Sequence, residues 1–319
     1  MRFPVVLLVA RYVAHRRRRG VMSAKTAADV ERDLRNFAAM CPPDVRKITR
    51  RHVEQWIDQP QFAPSTRRKL LSEVRGFFRW AVIEGHVRRD PTIEIEAIEQ
   101  PPTVPGSLPR DKAERIYVAH RYLEPRIRLI LSLELNEALR RIEVARAQVS
   151  DIDRRGRVMR VRGKGGHGKV TGTVPLSDET SAALDTYLRT EPVILGIDRL
   201  AAGPLLRNRQ RPNAGLSADR IGRLVRDALY ELGVKDAPRD GVSGHALRHT
   251  AATEALEAGV PIEKVQRFLR HKHSKTTDHY TRGAVFDLRE IHDRRRELRD
   301  DVIDLRESTG AGGPSGSLC

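Results

Sequence analysis

Residues 245–280 read HALRHTAATEALEAGVPIEKVQRFLRHKHSKTTDHY, a stretch that combines arginines, several histidines and a single tyrosine. Arginine and histidine side chains donate hydrogen bonds to phosphate oxygens, and a tyrosine hydroxyl can attack phosphorus. The stretch therefore indicates a site that handles phosphate groups. Cutting and rejoining of DNA is one activity that such a site would suit.

The composition of the whole chain indicates a polyanionic partner. The 319 residues carry a formal net charge of +17, with a pI of about 10.5. DNA, RNA and an anionic membrane surface all fit this charge. Hydrophobic residues make up 39% and charged residues 32%, which is typical of a globular protein with a highly charged surface.

The cysteines and the apolar start of the chain limit the class of protein further. Cys41 and Cys319 are the only cysteines and lie far apart, which excludes a disulfide framework or a zinc finger and favours a reducing, cytoplasmic setting. Residues 3–10 are apolar but too few to span a bilayer, and four arginines follow at 16–19. We interpret this start as the apolar side of a first helix. A basic amphipathic membrane anchor is the alternative.

A proline-rich segment divides the chain. Residues 98–109 read IEQPPTVPGSLP, with four prolines and a glycine, which is typical of a semi-extended linker. A chain of this length accommodates two domains. We predict a basic N-terminal segment, a helical domain, the linker, a second domain and a flexible tail, over residues 1–20, 21–97, 98–109, 110–300 and 301–319.

The first domain is expected to be helical. Thr49 and Ser65 are predicted to cap two of its helices. The second of these helices has an apolar stripe, and a different face carries Arg68, Arg75 and Arg79. That basic face is either a solvated surface or one that follows a phosphate backbone.

The second domain is expected to add a β-hairpin to more helices. Residues 157–162 and 169–174 alternate as strands do, and the glycine-rich turn between them carries Lys164. The fold class is therefore mainly α with a small antiparallel hairpin or sheet (α+β). Helices are predicted over or near 110–122, 125–138, 217–232, 244–258, 261–270 and 284–306, with another capped by Ser177.

A metal site is not expected in this chain. His245 and His249 are four residues apart and share a helix face, as in some zinc motifs. The position of the glutamate base in such a motif holds Ala246, and Arg248 in the same turn would repel a cation. A cluster that binds an oxyanion suits these residues better.

Four motifs in order resemble those of the tyrosine recombinases of the phage integrase family. His-x-Leu-Arg-His occurs at 245–249, and Leu-Arg-His at 269–271 precedes Tyr280 by the family's spacing of nine residues from the histidine. Residues 138–143, ALRRIE, resemble the family's Gly-Leu-Arg-x-x-Glu box, and the hairpin glycines at 163–166 enclose its lysine. The resemblance covers roughly residues 20–290. It implies a helical core-type DNA-binding domain followed by a catalytic recombinase domain.

The resemblance also implies a set of catalytic residues. Tyr280 would attack the scissile phosphorus and form a 3′-phosphotyrosyl link, while Arg140 and Arg248 would hold the nonbridging oxygens. Lys164 would protonate the leaving 5′ oxygen, and His271 would donate another hydrogen bond to the phosphate. No cofactor or metal is implied, because the covalent link conserves the phosphodiester energy.

Supporting roles fall to neighbouring side chains. His245 would assist proton transfer at the tyrosine, and Glu143 would brace the arginines. His249 is either a supporting residue or simply helix surface. Ala138 and Arg270 each stand where the family has a glycine; the first would narrow the turn before Arg140, and the second adds charge beside the site.

The resemblance further implies how the protein would act. We expect a compact phage-type integrase that binds double-stranded core-type attachment sites as a homotetramer in the bacterial host cytoplasm. An accessory directionality or DNA-bending protein is a further expected partner, and a membrane is not. An Xer-like resolution recombinase, a type IB topoisomerase and a non-catalytic DNA-binding regulator remain alternatives. The helix at 284–306 would either dock on a neighbouring protomer or fold back on its own domain.

Overall fold

The chain forms two compact units, Met1–Thr103 and Val104–Cys319. The computed structural model describes residues 4–99, 106–163, 168–238, 240–270 and 288–300. Each unit has a hydrophobic core of its own. The two units are therefore described separately.

The first unit is helical in the residues that are described. Its helices are α1 (Val5–Arg18), α2 (Ala24–Ala39), α3 (Arg50–Ile57) and α4 (Pro64–Ile83). Aromatic side chains fill the space between them, and the rings of Phe37 and Phe78 meet edge to face with centroids 6.3 Å apart. Such pairs add stability beyond the apolar area that they bury.

Helix α1 belongs to the core of the first unit. Val5, Leu8, Val9 and Tyr12 are buried, as expected for the apolar side of a first helix. The apolar face of α1 packs inside the first unit. Its apolar residues are therefore explained by this core and need no membrane contact. The first unit thus includes α1, whose residues were predicted to form a separate basic segment.

The capping predictions for this unit had different outcomes. Thr49 precedes α3, and its backbone N–H donates to His52 Nδ1 over 3.1 Å in a capping box. The prediction that Ser65 caps the next helix was wrong, because α4 begins one residue earlier at Pro64. Proline suits the first helical position, since its φ is already helical and its missing N–H would have had no partner there.

The second unit is built around a buried helix. Its helices are α5 (Arg110–Ala119), α6 (Pro125–Leu135), α7 (Arg141–Arg146), α8 (Asp178–Leu195), α9 (Ala218–Glu231), α10 (Gly244–Glu257) and α11 (Ile262–Phe268), with α12 described over 288–300. Most residues of α6 are buried, and α6 packs on α8, α9 and α10. Ser177 and Ser217 cap α8 and α9 through side-chain oxygens, and the cap by Ser177 was predicted.

Two small antiparallel sheets complete the second unit. Strands β1 (Ile152–Asp153), β2 (Val158–Val161) and β3 (Gly172–Pro175) pair in that order, with Met159 opposite Val174. Strands β4 (Arg207–Asn208) and β5 (Arg211–Gly215) form the other sheet. The predicted fold class, mainly α with a small antiparallel sheet, is confirmed. The hairpin tip with Lys164 lies outside the described residues.

A separate apolar cluster joins the segments that carry the site. Ala138, which precedes Arg140, packs with residues of α10, α11 and α12 that include Ala251, Phe268 and Ile291. This cluster holds the start of α7, the buried side of α10 and the end of α11 together. Close packing of this kind leaves the attached side chains little freedom to move.

Candidate active site

Arg140 lies at the N-terminal end of α7 and is fixed by a residue of the same turn. Its backbone N–H donates to Glu143 Oε2 over 2.9 Å, and its Nη1 donates to Glu143 Oε1 over 2.8 Å. Bonds from both the backbone and the guanidinium to one carboxylate leave Arg140 little rotational freedom. The side chain is still 34% exposed, so its outer edge can meet a ligand.

Arg248 is buried on α10 and is anchored to two carbonyl groups. Its guanidinium donates to the carbonyl oxygens of Ala138, 110 residues away in sequence, and of Leu269. Burial, together with the positive charges of Arg270 and Arg140, lowers the pKa of Arg248 to about 9. The site therefore concentrates positive charge where solvent screens it weakly.

Two backbone positions shape this part of the site. Ala138 and Arg270 adopt left-handed conformations, with φ of 49° and 52°. Side chains disfavour this region, which is the physical reason why glycine would suit both positions. The carbonyl of Ala138 accepts from both Arg248 and Arg270, the latter over 2.9 Å.

Glu143 is the carboxylate at the centre of the arginines. Its side chain is 3% exposed and lies between Arg140 and Arg270, whose Nη2 is 3.1 Å from Oε2. Burial alone would raise the pKa of Glu143, but Arg270 and Arg140 outweigh it, and the pKa is lowered. Glu143 is thus ionised at neutral pH and pairs with both arginines.

The histidines of α10 lie on the same face of the helix. The rings of His245 and His249 meet at 84° with centroids 4.5 Å apart. Partial burial and the charges of Arg248 and Arg140 lower the pKa of His245. The neutral imidazole is therefore the favoured form of His245 beside these two guanidiniums.

The described residues show no group of three or more metal-ligating side chains that could hold a metal ion. Three guanidiniums, those of Arg140, Arg248 and Arg270, surround the single carboxylate of Glu143. Such an excess of fixed positive charge favours an oxyanion and stabilises negative charge that develops on it. Nor is any described helix long and apolar enough to cross a membrane.

The structure brings together some of the expected site residues, and the others lie outside the residues that it describes. Arg140, Glu143, Arg248 and His245 come from two helices and lie within electrostatic range of one another. The remaining catalytic residues expected from the motifs, Lys164, His271 and Tyr280, lie outside the described residues.

The three arginines of the predicted basic face on α4 differ in their solvent exposure. Arg68 and Arg79 are exposed. Arg75 is partly buried, and its guanidinium donates to the backbone carbonyl of Ile95. Arg75 thus has a role within the unit that its position on the helix face did not predict.

Sequence reasoning did not assign Arg270 to the site. The sequence indicated only that Arg270 adds charge where the family has a glycine. In the structure, its side chain donates to two groups of the site, Glu143 and the carbonyl of Ala138. The signal that could have assigned Arg270 to the site was the Leu-Arg-His sequence itself. A charged residue in place of a motif glycine needs a counterion, and Glu143 was the acidic residue already expected nearby.

Comparison with known proteins decides the family. Residues 107–285 match the family described as "Phage integrase family", and residues 9–85 match "Phage integrase, N-terminal SAM-like domain". The chain belongs to the phage integrase family. The first match covers more than half of the chain and includes every motif on which the resemblance rested.

Relatives and solved structures agree with this family. The chain is 30% identical over 238 residues to the tyrosine recombinase XerC of Myxococcus xanthus, which covers 72% of this chain and 76% of the relative. Its fold is similar to that of a lambda integrase dimer bound to a COC′ core site, with a TM-score of 0.65 and 20% identity over 86% of this chain and 75% of the other. A lambda integrase tetramer bound to a Holliday junction gives a TM-score of 0.64 and 20% identity, over 88% and 80%.

Family membership confirms the predicted enzyme class. The family's members cleave and rejoin DNA, and this chain is a tyrosine recombinase by sequence. At 20% identity the solved structures establish the fold alone.

Proposed function

We propose that this site-specific DNA recombinase cleaves and rejoins DNA through a 3′-phosphotyrosyl intermediate on Tyr280. The observation that carries the proposal is the convergence of Arg140 and Arg248. One is held by Glu143 and the other by the carbonyl of Ala138, two residues before Arg140. Two fixed guanidiniums side by side suit the two nonbridging oxygens of a phosphodiester.

The cleavage step assigns a role to each group. The Tyr280 oxygen bonds to phosphorus as the bond to the 5′ oxygen breaks, and Lys164 supplies the proton to that leaving oxygen. His245 assists removal of the tyrosine proton, and its lowered pKa leaves it neutral for that task. Arg140 and Arg248 stabilise the charge that grows on the nonbridging oxygens.

Strand joining reverses these events with a different 5′ hydroxyl. That hydroxyl attacks the phosphotyrosyl link, and Tyr280 leaves with its proton restored. His271 donates a further hydrogen bond to the same phosphate in both steps. No bond energy is lost to hydrolysis, so neither a nucleotide nor a cofactor is required.

The DNA partner and the assembly follow from family and charge. We infer that the chain binds double-stranded core-type sites and forms a homotetramer in the synaptic complex, in the bacterial cytoplasm. The lambda integrase structures, bound to a core site and to a Holliday junction, support this inference. An accessory DNA-bending or directionality protein belongs to the same proposal.

The domain roles are part of the proposal. Residues 21–97 would form the core-type DNA-binding domain and residues 110–300 the catalytic domain. The linker over 98–109 would connect them, and 301–319 would be a tail. The matched regions, 9–85 and 107–285, support this division.

The test is a nicked suicide duplex on which cleavage releases a short strand and traps the covalent adduct. The intact protein is expected to form an adduct that resists denaturant, and Tyr280→Phe is expected to form none. Absence of an adduct with the intact protein would favour a non-catalytic regulator. Relaxation of supercoiled plasmid without a specific site would favour a type IB topoisomerase.

An Xer-like resolution recombinase is the second candidate. The 30% identity to the Myxococcus xanthus XerC favours it. Deletion of the gene in its host separates the two functions. Accumulation of unresolved chromosome or plasmid dimers would support resolution, whereas loss of excision of a mobile element would support an integrase.

A further inference from the structure

Arg270 occupies a buried position between the two arginines of the proposed site. Its Nη2 donates to Ala138 O over 2.9 Å and lies 3.1 Å from Glu143 Oε2. Its backbone carbonyl accepts from Arg140 Nη2 over 3.2 Å. Arg270 thus contacts the residue that fixes Arg140 and the carbonyl that fixes Arg248.

We propose that Arg270 is a positioning residue that holds Glu143 and the Ala138 carbonyl in place, so that Arg140 and Arg248 face the scissile phosphate. This inference rests on the proposed function, because it assigns those two arginines to the phosphate. It concerns a side chain for which the family's motif has no counterpart, since glycine stands there in the motif.

The partners of Arg270 distinguish positioning from direct contact with DNA. Its side chain is 8% exposed, compared with 34% for Arg140, and it donates to Glu143 and Ala138 O. Arg248 is buried as well, but its place in the motif assigns it to the phosphate, whereas Arg270 stands where the motif has a glycine. Arg270 therefore acts on the phosphate through Glu143 and the Ala138 carbonyl.

The hydrogen-bond geometry shows why Glu143 benefits from two arginines. Arg140 uses Oε1 through its Nη1, while Oε2 receives the Arg140 backbone N–H and Arg270. With Arg270 removed, Oε2 loses a charged donor in a buried place, and the carboxylate becomes free to rotate toward Arg140. Such a rotation would turn the Arg140 fork away from its present direction. Charge-assisted bonds are short and directional, so their loss alters geometry as well as stability.

The experiment compares three variants on the nicked suicide duplex. Arg270→Gly removes the guanidinium and suits the left-handed backbone, so its defect cannot come from backbone strain. Arg270→Lys keeps the charge but loses the fork. Arg267→Ala is the matched control, since it removes one charge from an exposed position on α11.

The expected result is a loss of cleavage rate without a loss of binding. At saturating duplex, Arg270→Gly should form adduct about tenfold or more slowly, with its Kd for intact duplex changed by less than about threefold. Arg270→Lys should recover part of the rate. Arg267→Ala should stay within about twofold of the intact protein.

The pH profile supplies a readout that a merely structural role would not move. The charged groups that face Glu143 are Arg140 from α7, Arg248 from α10 and Arg270 after α11. Removing Arg270 raises the pKa of Glu143, so activity in Arg270→Gly should decline at a higher pH on acidification than in the intact protein. Arg270→Lys should restore the original profile in part.

Each outcome decides a specific point. Adduct formation by Arg270→Gly at the intact protein's rate and pH profile would overturn the role of Arg270 and leave the proposed function standing. Equal losses of rate and affinity would make Arg270 a DNA-binding residue and would also overturn it. No adduct with the intact protein would overturn both proposals. Thermal unfolding of each variant verifies that it is folded.

Discussion

Glu134 shows how a single residue can set the pH dependence of stability. Its carboxyl group is buried on α6 against Gly244 at the first turn of α10. Neither carboxyl oxygen has a hydrogen-bond partner in the part of the chain that the structure describes. Burial raises the pKa of Glu134 to about 8, which the charge of Arg141 only partly offsets. The folded protein therefore keeps Glu134 protonated at neutral pH.

The direction of the pH effect follows from the raised pKa. The folded state binds the proton more tightly than the unfolded state does, so the stability of the native protein falls as pH rises from about 5 to about 8. Glu134→Gln removes this titration. Its free energy of unfolding relative to the native protein should rise between pH 5.5 and 8.5 by at most about 3.5 kcal/mol, at about 1.4 kcal/mol per pKa unit.

Urea unfolding at the two pH values tests this prediction. Glu263→Gln, at an exposed position on α11, is the control and should follow the native protein. A difference between Glu134→Gln and the native protein that is the same at both pH values would show that Glu134 does not titrate in this range.

At the scale of elements, Arg295 makes a deeply buried ionic contact between α12 and its own unit. Arg295 is 1% exposed and donates to Glu254 over 2.7 Å and to the carbonyls of Leu135 and Asn136 over 3.1 and 2.9 Å. The neighbouring carboxylate of Glu254 raises its pKa against the effect of burial. Residues 288–300 thus fold back on the second unit, one of the two arrangements considered for this helix.

Replacement of Arg295 should loosen this helix strongly. Arg295→Met leaves Glu254 and two buried carbonyls without their charged donor, and breaking a buried pair in this way costs about 3–5 kcal/mol. Hydrogen exchange should then accelerate in α12. The control is Arg296→Met, because Arg296 is about half exposed and its pairs, with Asp293 and with Asp178 of α8, both lie at the surface. Equal exchange in the two variants would contradict the fastening role.

At the scale of the whole molecule, net charge and the two units define the interaction with DNA. The charge of +17 belongs to the whole chain, and its arginines differ in exposure and in their partners within each unit. Arg68 and Arg79 are exposed on α4, whereas Arg75 donates to Ile95 O within the first unit. Only the exposed pair is expected to follow the phosphate backbone.

Salt dependence of DNA binding tests this division. The double variant Arg68→Ala/Arg79→Ala should weaken binding evenly across sequences and reduce the slope of log K against log salt by about 1.8, since each phosphate contact contributes about 0.9. Arg35→Ala, which breaks a surface pair with Glu31 on α2, is the control. An unchanged slope in the double variant would show that this face does not contact phosphate.

Local signals in the sequence predicted much of this fold. Periodic apolar residues and the capping residue Ser177 predicted helices, because those interactions lie within one turn. The predicted cap at Ser65 was wrong because Pro64 beside it is the better first residue of a helix. The place of α1 in the core could not be predicted from its own residues, since it depends on packing with distant helices.

The sequence by itself determined the family and the fold class, since these depend on residue type, order and spacing. Only the tertiary structure decided that Arg270 shares Glu143 with Arg140, and the Ala138 carbonyl with Arg248. The physical reason is that Arg248 and Arg270 lie more than a hundred residues from Ala138 and Glu143 in sequence. They meet because an apolar cluster of α10, α11, α12 and Ala138 holds their backbones together.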